Sequence, residues 1–169
     1  MTITKKIIER IKEILNYEHY LIMGLFKDNK LEMLKLKFDH NDFVFFVPIM
    51  KSSLEYELNE FDIDTIKTAE IIIIKIFSSY NNPWSGLFHY IEMEVITEVI
   101  NKEGMNLENP RINFLNQALK LTPTRITLMS KNQLLEPTRH KHKSIGPFIY
   151  NLKQDDSKNF YLDKTNYFR

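Results

Sequence analysis

The sequence predicts an α+β fold: a four-stranded antiparallel meander flanked by helices, with a smaller β-rich C-terminal portion. Three observations lead there. Residues 20–59 hold successive apolar or alternating runs, broken by Lys27-Asp28-Asn29-Lys30 and Asp39-His40-Asn41-Asp42, residue types that turn a chain tightly. Residues 3–16 repeat Ile7, Ile11, Ile14 and Leu15 at helical spacing. Residues 65–103 hold further apolar-striped stretches, suited to covering a sheet.

The N-terminal helix, 3–16, carries Lys5, Lys6, Glu9, Lys12 and Glu13 on its solvated side, with Thr2 or Thr4 as its cap. Strand 20–26 is apolar almost throughout, and Asp28 and Asn29 tolerate the left-handed conformation of a tight hairpin. Strand 31–38 sets Leu34, Leu36 and Phe38 against Lys35 and Lys37. Residues 43–50 are the most apolar run and are expected at the sheet centre, although Pro48 opposes regular pairing at that end. In 53–59, Leu54, Tyr56 and Leu58 alternate with Ser53, Glu55, Glu57 and Asn59, a half-buried strand with an acidic outer face.

Asp62 or Asp64 then starts a helix over 65–79, striped by Ile66, Ala69, Ile73, Ile76 and Phe77. The β-branched run 71–74 keeps a strand open as the alternative. A second helix is expected over 84–103, capped by Gly104, and a short third over 111–119, opened by Asn109-Pro110. Strands are expected at 125–129 and 148–152. The tail is polar, but Phe160, Tyr161, Leu162, Tyr167 and Phe168 give it points of attachment.

At 169 residues the chain suits a single α+β domain, 1–169, and 43% hydrophobic residues with 12% aromatics mark it as globular. The lack of cysteine excludes disulfides, thiolate zinc sites and thiol nucleophiles, and fits a reducing compartment. No apolar run approaches the roughly 18 residues of a membrane span. Residues 1–15 interleave charge with isoleucine, unlike a signal peptide, so a cytoplasmic location without membrane partners is expected. The net charge of +1 hides an asymmetry. Residues 1–110 carry 12 Lys and Arg against 18 Asp and Glu, and residues 111–169 carry 11 against 4. Either a charged partner meets such a surface or the two halves neutralise each other.

The four glycines, Gly24, Gly86, Gly104 and Gly146, form no phosphate-cradling loop, and no GxGxxG, P-loop, GxSxG or HExxH is present. No catalytic residue, metal ligand set or cofactor follows from the motifs. Three groups remain. His89 and Glu92 fall on one apolar face of the predicted 84–103 helix, a buried polar pair with acid–base potential or simply a satisfied one. Arg139, His140, Lys141, His142 and Lys143 form a basic run suited to phosphate contact, nucleic-acid binding or metal-independent RNA cleavage, or else a solvated loop tip. Glu55, Glu57, Glu60, Asp62 and Asp64 form an acidic stretch, either a charged sheet edge or an interface for a cationic partner.

The order helix, meander, helix resembles ubiquitin-conjugating-like domains and small secretion chaperones, although the missing cysteine excludes thioester chemistry. The function expected from all this is a non-enzymatic intracellular module binding another, cationic protein through its acidic surface. It would neutralise a toxin, as an immunity protein does, or escort a client. The alternative is a nucleic-acid-binding or ribonuclease-like protein working through residues 139–143.

Overall fold

A computed structural model of the chain describes residues 3–50, 56–77, 88–130, 148–157 and 159–164. Among them are helices α1 (Ile3–Tyr17) and α2 (Glu60–Thr68) and strands β1 (Tyr20–Lys27), β2 (Lys30–Lys37), β3 (Asp39–Asn41), β4 (Val44–Ile49), β5 (Ile71–Phe77), β6 (Phe88–Asn101), β7 (Gln117–Ser130), β8 (Phe148–Gln154) and β9 (Phe160–Lys164). The strands form one nine-stranded sheet in the order β2-β1-β5-β6-β7-β4-β3, with β8 pairing β7 and β9 pairing β8. The chain divides into two compact units, Met1–Glu18, Ile76–Met93 and Thr124–Arg169 in one, His19–Lys75 and Glu94–Pro123 in the other.

In the second unit, β1 and β2 pair antiparallel from Tyr20↔Lys37 to Lys27↔Lys30. Asp28 and Asn29 between them both have positive φ, 50° and 61°, as a two-residue hairpin turn requires. On its other edge β1 pairs with β5, Ile22↔Lys75 through Phe26↔Ile71. One face of this three-stranded section buries Leu21, Met23, Leu25, Leu36, Ile72 and Ile74, and α2 buries Ile63 and Ile66. Burying such side chains stabilises a fold by roughly 1.5–3 kcal/mol each. Helix α2 starts at a capping box: Asn59 Oδ1 accepts from the Asp62 backbone N–H at 2.9 Å, and Asp62 Oδ2 accepts from the Asn59 N–H at 3.0 Å.

Strand β4 pairs with β3 and with β7, the latter from Phe45↔Leu121 to Ile49↔Gln117. Pro48 therefore lies inside a paired strand. Its carbonyl accepts from Leu58 N–H at 3.2 Å, so its nitrogen also points to that side, away from the β7 ladder it would otherwise break. The connection from β6 to β7 buries Phe114 with Phe46 and Ala118, and Val44, Ile100, Met105, Leu107 and Ile112 pack on them.

In the first unit, α1 buries Ile11, Ile14 and Leu15 and lies against β9. Strands β7, β8 and β9 pair in succession, through Arg125↔Asn151 to Leu128↔Phe148 and Tyr150↔Lys164 to Gln154↔Phe160. Tyr150, Leu152 and Leu162 are buried there.

This architecture overturns the α+β expectation, because the molecule is mostly antiparallel sheet with two helices among the described residues. The meander does not form. Strand β1 pairs with β5, and β4 pairs with β7. The expected strand 53–59 is absent over its described part: Tyr56 has φ 67°, and Leu58 makes one isolated parallel bridge to Ile49. The expected helix 65–79 gives way to α2 ending at Thr68 and a β-branched strand, β5. The expected helix 84–103 is strand β6 up to Asn101, followed by a short 3-10 turn at Lys102–Gly104, and Ile91, Met93 and Val95 are buried at period two. The expected helix 111–119 is irregular chain leading into β7.

Candidate functional site

The acidic stretch is not one surface. Glu55 lies outside the described residues. Glu57 is buried, 6% exposed at its side chain, and its Oε1 pairs with Lys37 Nζ while Oε2 has no hydrogen-bond partner. Glu60, Asp62 and Asp64 sit on the first turns of α2, where Asp62 is held in the capping box. Acidic side chains in that turn complement the positive end of the helix dipole.

The pairing proposed for His89 and Glu92 is corrected by β6. Both positions lie on a strand, so the helical spacing that joined them does not apply. Arg139, His140, Lys141, His142 and Lys143 lie outside the described residues. Among the described residues no cluster of three or more metal-ligating side chains occurs.

The structure brings together a different set. Asp39 is the buried acidic residue at the start of β3, 3% exposed. Its Oδ2 accepts from the Arg111 backbone N–H at 2.6 Å, and its Oδ1 accepts from the His40 N–H at 2.9 Å. Arg111 Nε stands 3.7 Å from Asp39 Oδ1, Nη2 donates to the Phe38 carbonyl at 2.9 Å, and the guanidinium lies 5.0 Å from the Phe38 ring centroid. Next to them Asn41 Nδ2 donates to the Asn106 carbonyl at 2.9 Å. These bonds pin the β6–β7 connection onto β3. The His40 ring lies tilted beside Phe38 and Phe45, with centroids 6.2 and 6.4 Å away, and its Nδ1 is 3.1 Å from the Asp42 carbonyl. Burial holds its pKa below the usual histidine value; the Asp42 carbonyl opposes that and the Arg111 charge adds to it. Burial likewise lowers Arg111, against the pull of Asp39. In the other unit burial raises Tyr150, and the Asp163 hydrogen bond raises Lys153. The Asp39 group is a structural clasp, since its charged atoms face one another rather than an open space.

Two hollows lie in the same unit. A groove of about 430 Å³ runs between the β1–β2 hairpin and α2, lined by Leu25, Lys27, Lys30, Leu31, Glu32 and Thr65 among others. A smaller one, about 160 Å³, lies under the β6–β7 connection beside Met105, Leu107 and Phe114. The first has the volume of a small-molecule site. No sequence signal announced it, because Lys27 and Lys30 read as ordinary turn-flanking lysines.

No family model matches the sequence, and no curated protein does. Solved structures do match the backbone. One is a protein related to general stress protein 26 of B. subtilis (pyridoxinephosphate oxidase family) from Clostridium acetobutylicum; it is 11% identical, with 76% of this chain and 92% of that chain covered and a TM-score of 0.53. Another is a pyridoxamine 5′-phosphate oxidase-related, FMN binding protein from Nostoc punctiforme; it is 12% identical, with 98% of each chain covered and a TM-score of 0.51. This chain has their fold. The likeness displaces the ubiquitin-conjugating and secretion-chaperone resemblance, whose basis was a helix–meander–helix order that the sheet does not contain. With it go the immunity-type and client-escorting module and the ribonuclease-like alternative, neither of which has a counterpart among these neighbours. No helix among the described residues is long and apolar enough to cross a membrane.

Proposed function

We propose that this protein binds flavin mononucleotide. The observation that supports the reading is the backbone match over 98% of both chains to a protein described as FMN binding. A cytoplasmic location belongs to the same proposal, supported by a sequence without cysteine.

The group joins a flat, largely apolar ring system to a phosphate, so it needs an apolar wall and a surplus of positive charge. Several of the described cations already face carboxylates. The groove beside α2 sets Lys27 and Lys30 against Asp28 and Glu32. Elsewhere Arg10 is engaged by Glu13, Lys37 by Glu57, Arg111 by Asp39 and Lys153 by Asp163. The densest cationic run in the sequence is Arg139, Lys141 and Lys143, interleaved with His140 and His142, and it is the set to which the proposal assigns the phosphate.

Titrating FMN and riboflavin into the purified chain, followed by flavin fluorescence, tests both parts. Saturable FMN binding at about 1 μM or tighter is expected, with riboflavin at least roughly tenfold weaker for want of the charge-assisted contacts. Replacing Arg139, Lys141 and Lys143 together by alanine should erase that difference. No saturation with FMN up to about 1 mM would remove the proposal.

A further inference from the structure

The connection between β6 and β7 is closed at its base and fastened along its length. Lys102 N–H donates to the Asn116 carbonyl at 2.9 Å, which joins its two ends, and Met105 N–H donates to the Lys102 carbonyl at 3.2 Å. Midway, the Asn106 carbonyl accepts from Asn41 Nδ2, and Arg111 N–H donates to Asp39 Oδ2. The connection is thus an arch held at its ends and at its middle, and the hollow of about 160 Å³ lies under it. A site whose walls are fixed before a ligand arrives loses little free energy to ordering when the ligand binds.

The lining of this hollow is divided. Met105, Leu107 and Ile112 are half-buried and pack against Phe114, 3% exposed, which packs in turn with Phe46 and Ala118. Such walls offer water no hydrogen bond, and an apolar cavity of about 150 Å³ stays dry and takes up benzene. The polar side chains around it are Lys102 and Asn113, both exposed, so they stand at its mouth. Lys102 makes no ion pair among the described residues, and Glu103 and Glu108 of the same connection do not line the hollow. The result is an apolar floor with one cation and one amide at the rim.

We propose that this hollow binds a compact monocarboxylate of about the size of benzoate. Its apolar body rests on Leu107, Ile112 and Phe114, and its carboxylate meets the Lys102 ammonium and the Asn113 amide. The volume limits the body to about one six-membered ring. The cation at the mouth selects the charge. An amine would stand beside the Lys102 ammonium, and a dicarboxylate would press a second, unpaired charge against Met105 and Phe114. The hollow is too small for a flavin, so the inference stands on this arch alone and does not depend on flavin binding.

Titrating benzoate into the full chain, with the methyl groups of Met105, Leu107 and Ile112 followed by NMR, tests it. Benzamide serves as the uncharged isostere, and acetate as the charge without the body. Saturable shifts at those methyls are expected with benzoate at a Kd of about 0.1–1 mM, a range set by how few atoms the hollow holds. Benzamide should bind roughly three- to tenfold more weakly, having lost a charged hydrogen bond at an exposed rim. Acetate should not saturate below about 100 mM. Lys102→Met, at an exposed position, should leave the thermal melt unchanged and bring benzoate down to the affinity of benzamide, whose own binding stays as it was. Leu107→Trp should fill the hollow and abolish binding of both. Benzoate that fails to saturate these shifts up to about 100 mM overturns the proposal. So does benzamide binding as tightly as benzoate, or a Lys102→Met variant that still prefers benzoate.

Discussion

Two buried carboxylates in the same unit, Asp39 and Glu57, are exposed almost equally, 4% and 6% at the side chain, yet they are held in opposite ways. Asp39 accepts from two backbone N–H groups, and the arginine beside it is itself anchored on the Phe38 carbonyl and ring. Glu57 has one cation, Lys37, and leaves Oε2 without a partner. Lys37 is 34% exposed, so its ammonium reaches water with little rearrangement, whereas Asp39 serves two backbone donors that would have to find other partners. Burial alone thus says little about a carboxylate. What matters is how many donors would be stranded without it.

The comparison breaks most visibly at Asp39. Asp39→Ala strands both backbone N–H groups and the Arg111 charge, and should cost about 3–5 kcal/mol in a urea melt. It should also release the β6–β7 connection, read as faster amide exchange over residues 105–116. A loss under about 1 kcal/mol would show that water replaces the carboxylate and that no clasp exists. Arg111→Met comes next, at roughly 2–3 kcal/mol. It keeps the backbone N–H bond to Asp39 but removes the guanidinium from the Phe38 carbonyl and ring.

How much of this was legible follows from distance along the chain. The β1–β2 hairpin was readable because Asp28-Asn29 and its flanking strands are contiguous, and the turn residues carry their own conformational preference. Strands β5 and β6 carry helix-like patterns for a local reason. Ile66, Ala69, Ile73 and Ile76 match a helical stripe, while Ile71–Ile74 are β-branched and Ile91-Glu92-Met93-Glu94-Val95 alternates at period two. Short apolar runs satisfy both templates, and here the β-branched preference and the alternation carried more weight than the stripe. The β4–β7 pairing and the Asp39 clasp had no sequence signal at all. Asp39 meets Arg111 across 72 residues and looked like one more turn aspartate. The same holds for the candidate sites: a face built on the helical wheel of His89 and Glu92 vanished with the helix.

Glu57 should be the forgiving half of the comparison. Glu57→Gln keeps an acceptor toward Lys37, and Glu57→Met lets that lysine turn to solvent, so each should change stability by no more than about 1 kcal/mol. Glu57→Lys is a different matter. It places a second ammonium at a buried position beside Lys37, and should cost about 2 kcal/mol or more, where an exposed strand position would have tolerated it. Equal melts for Glu57→Lys and Glu57→Gln would show that this side chain faces water after all.

The smallest expected effect sharpens the comparison through pH. Asp39 has a histidine as its chain neighbour, and Glu57 has none beside it in sequence. Burial among Phe38 and Phe45, with the Arg111 charge nearby, lowers the His40 pKa in the folded chain, while Asp39 and Asp42 oppose the shift. The unfolded chain, with histidine near its ordinary value of about 6.5, then binds the proton more readily than the folded one. At higher pH both states hold His40 neutral and it contributes no pH dependence. As pH falls below about 6.5 the unfolded state is favoured, with a slope of at most about 1.4 kcal/mol per pH unit, and the loss levels off below the folded value. His40→Gln should therefore leave stability above about pH 7 little changed and flatten the acid limb of the urea-melt profile. An NMR titration of the His40 ring measures the cause directly. A folded-state value at or above that of the unfolded chain would reverse the sign and remove the acid sensitivity assigned to the clasp.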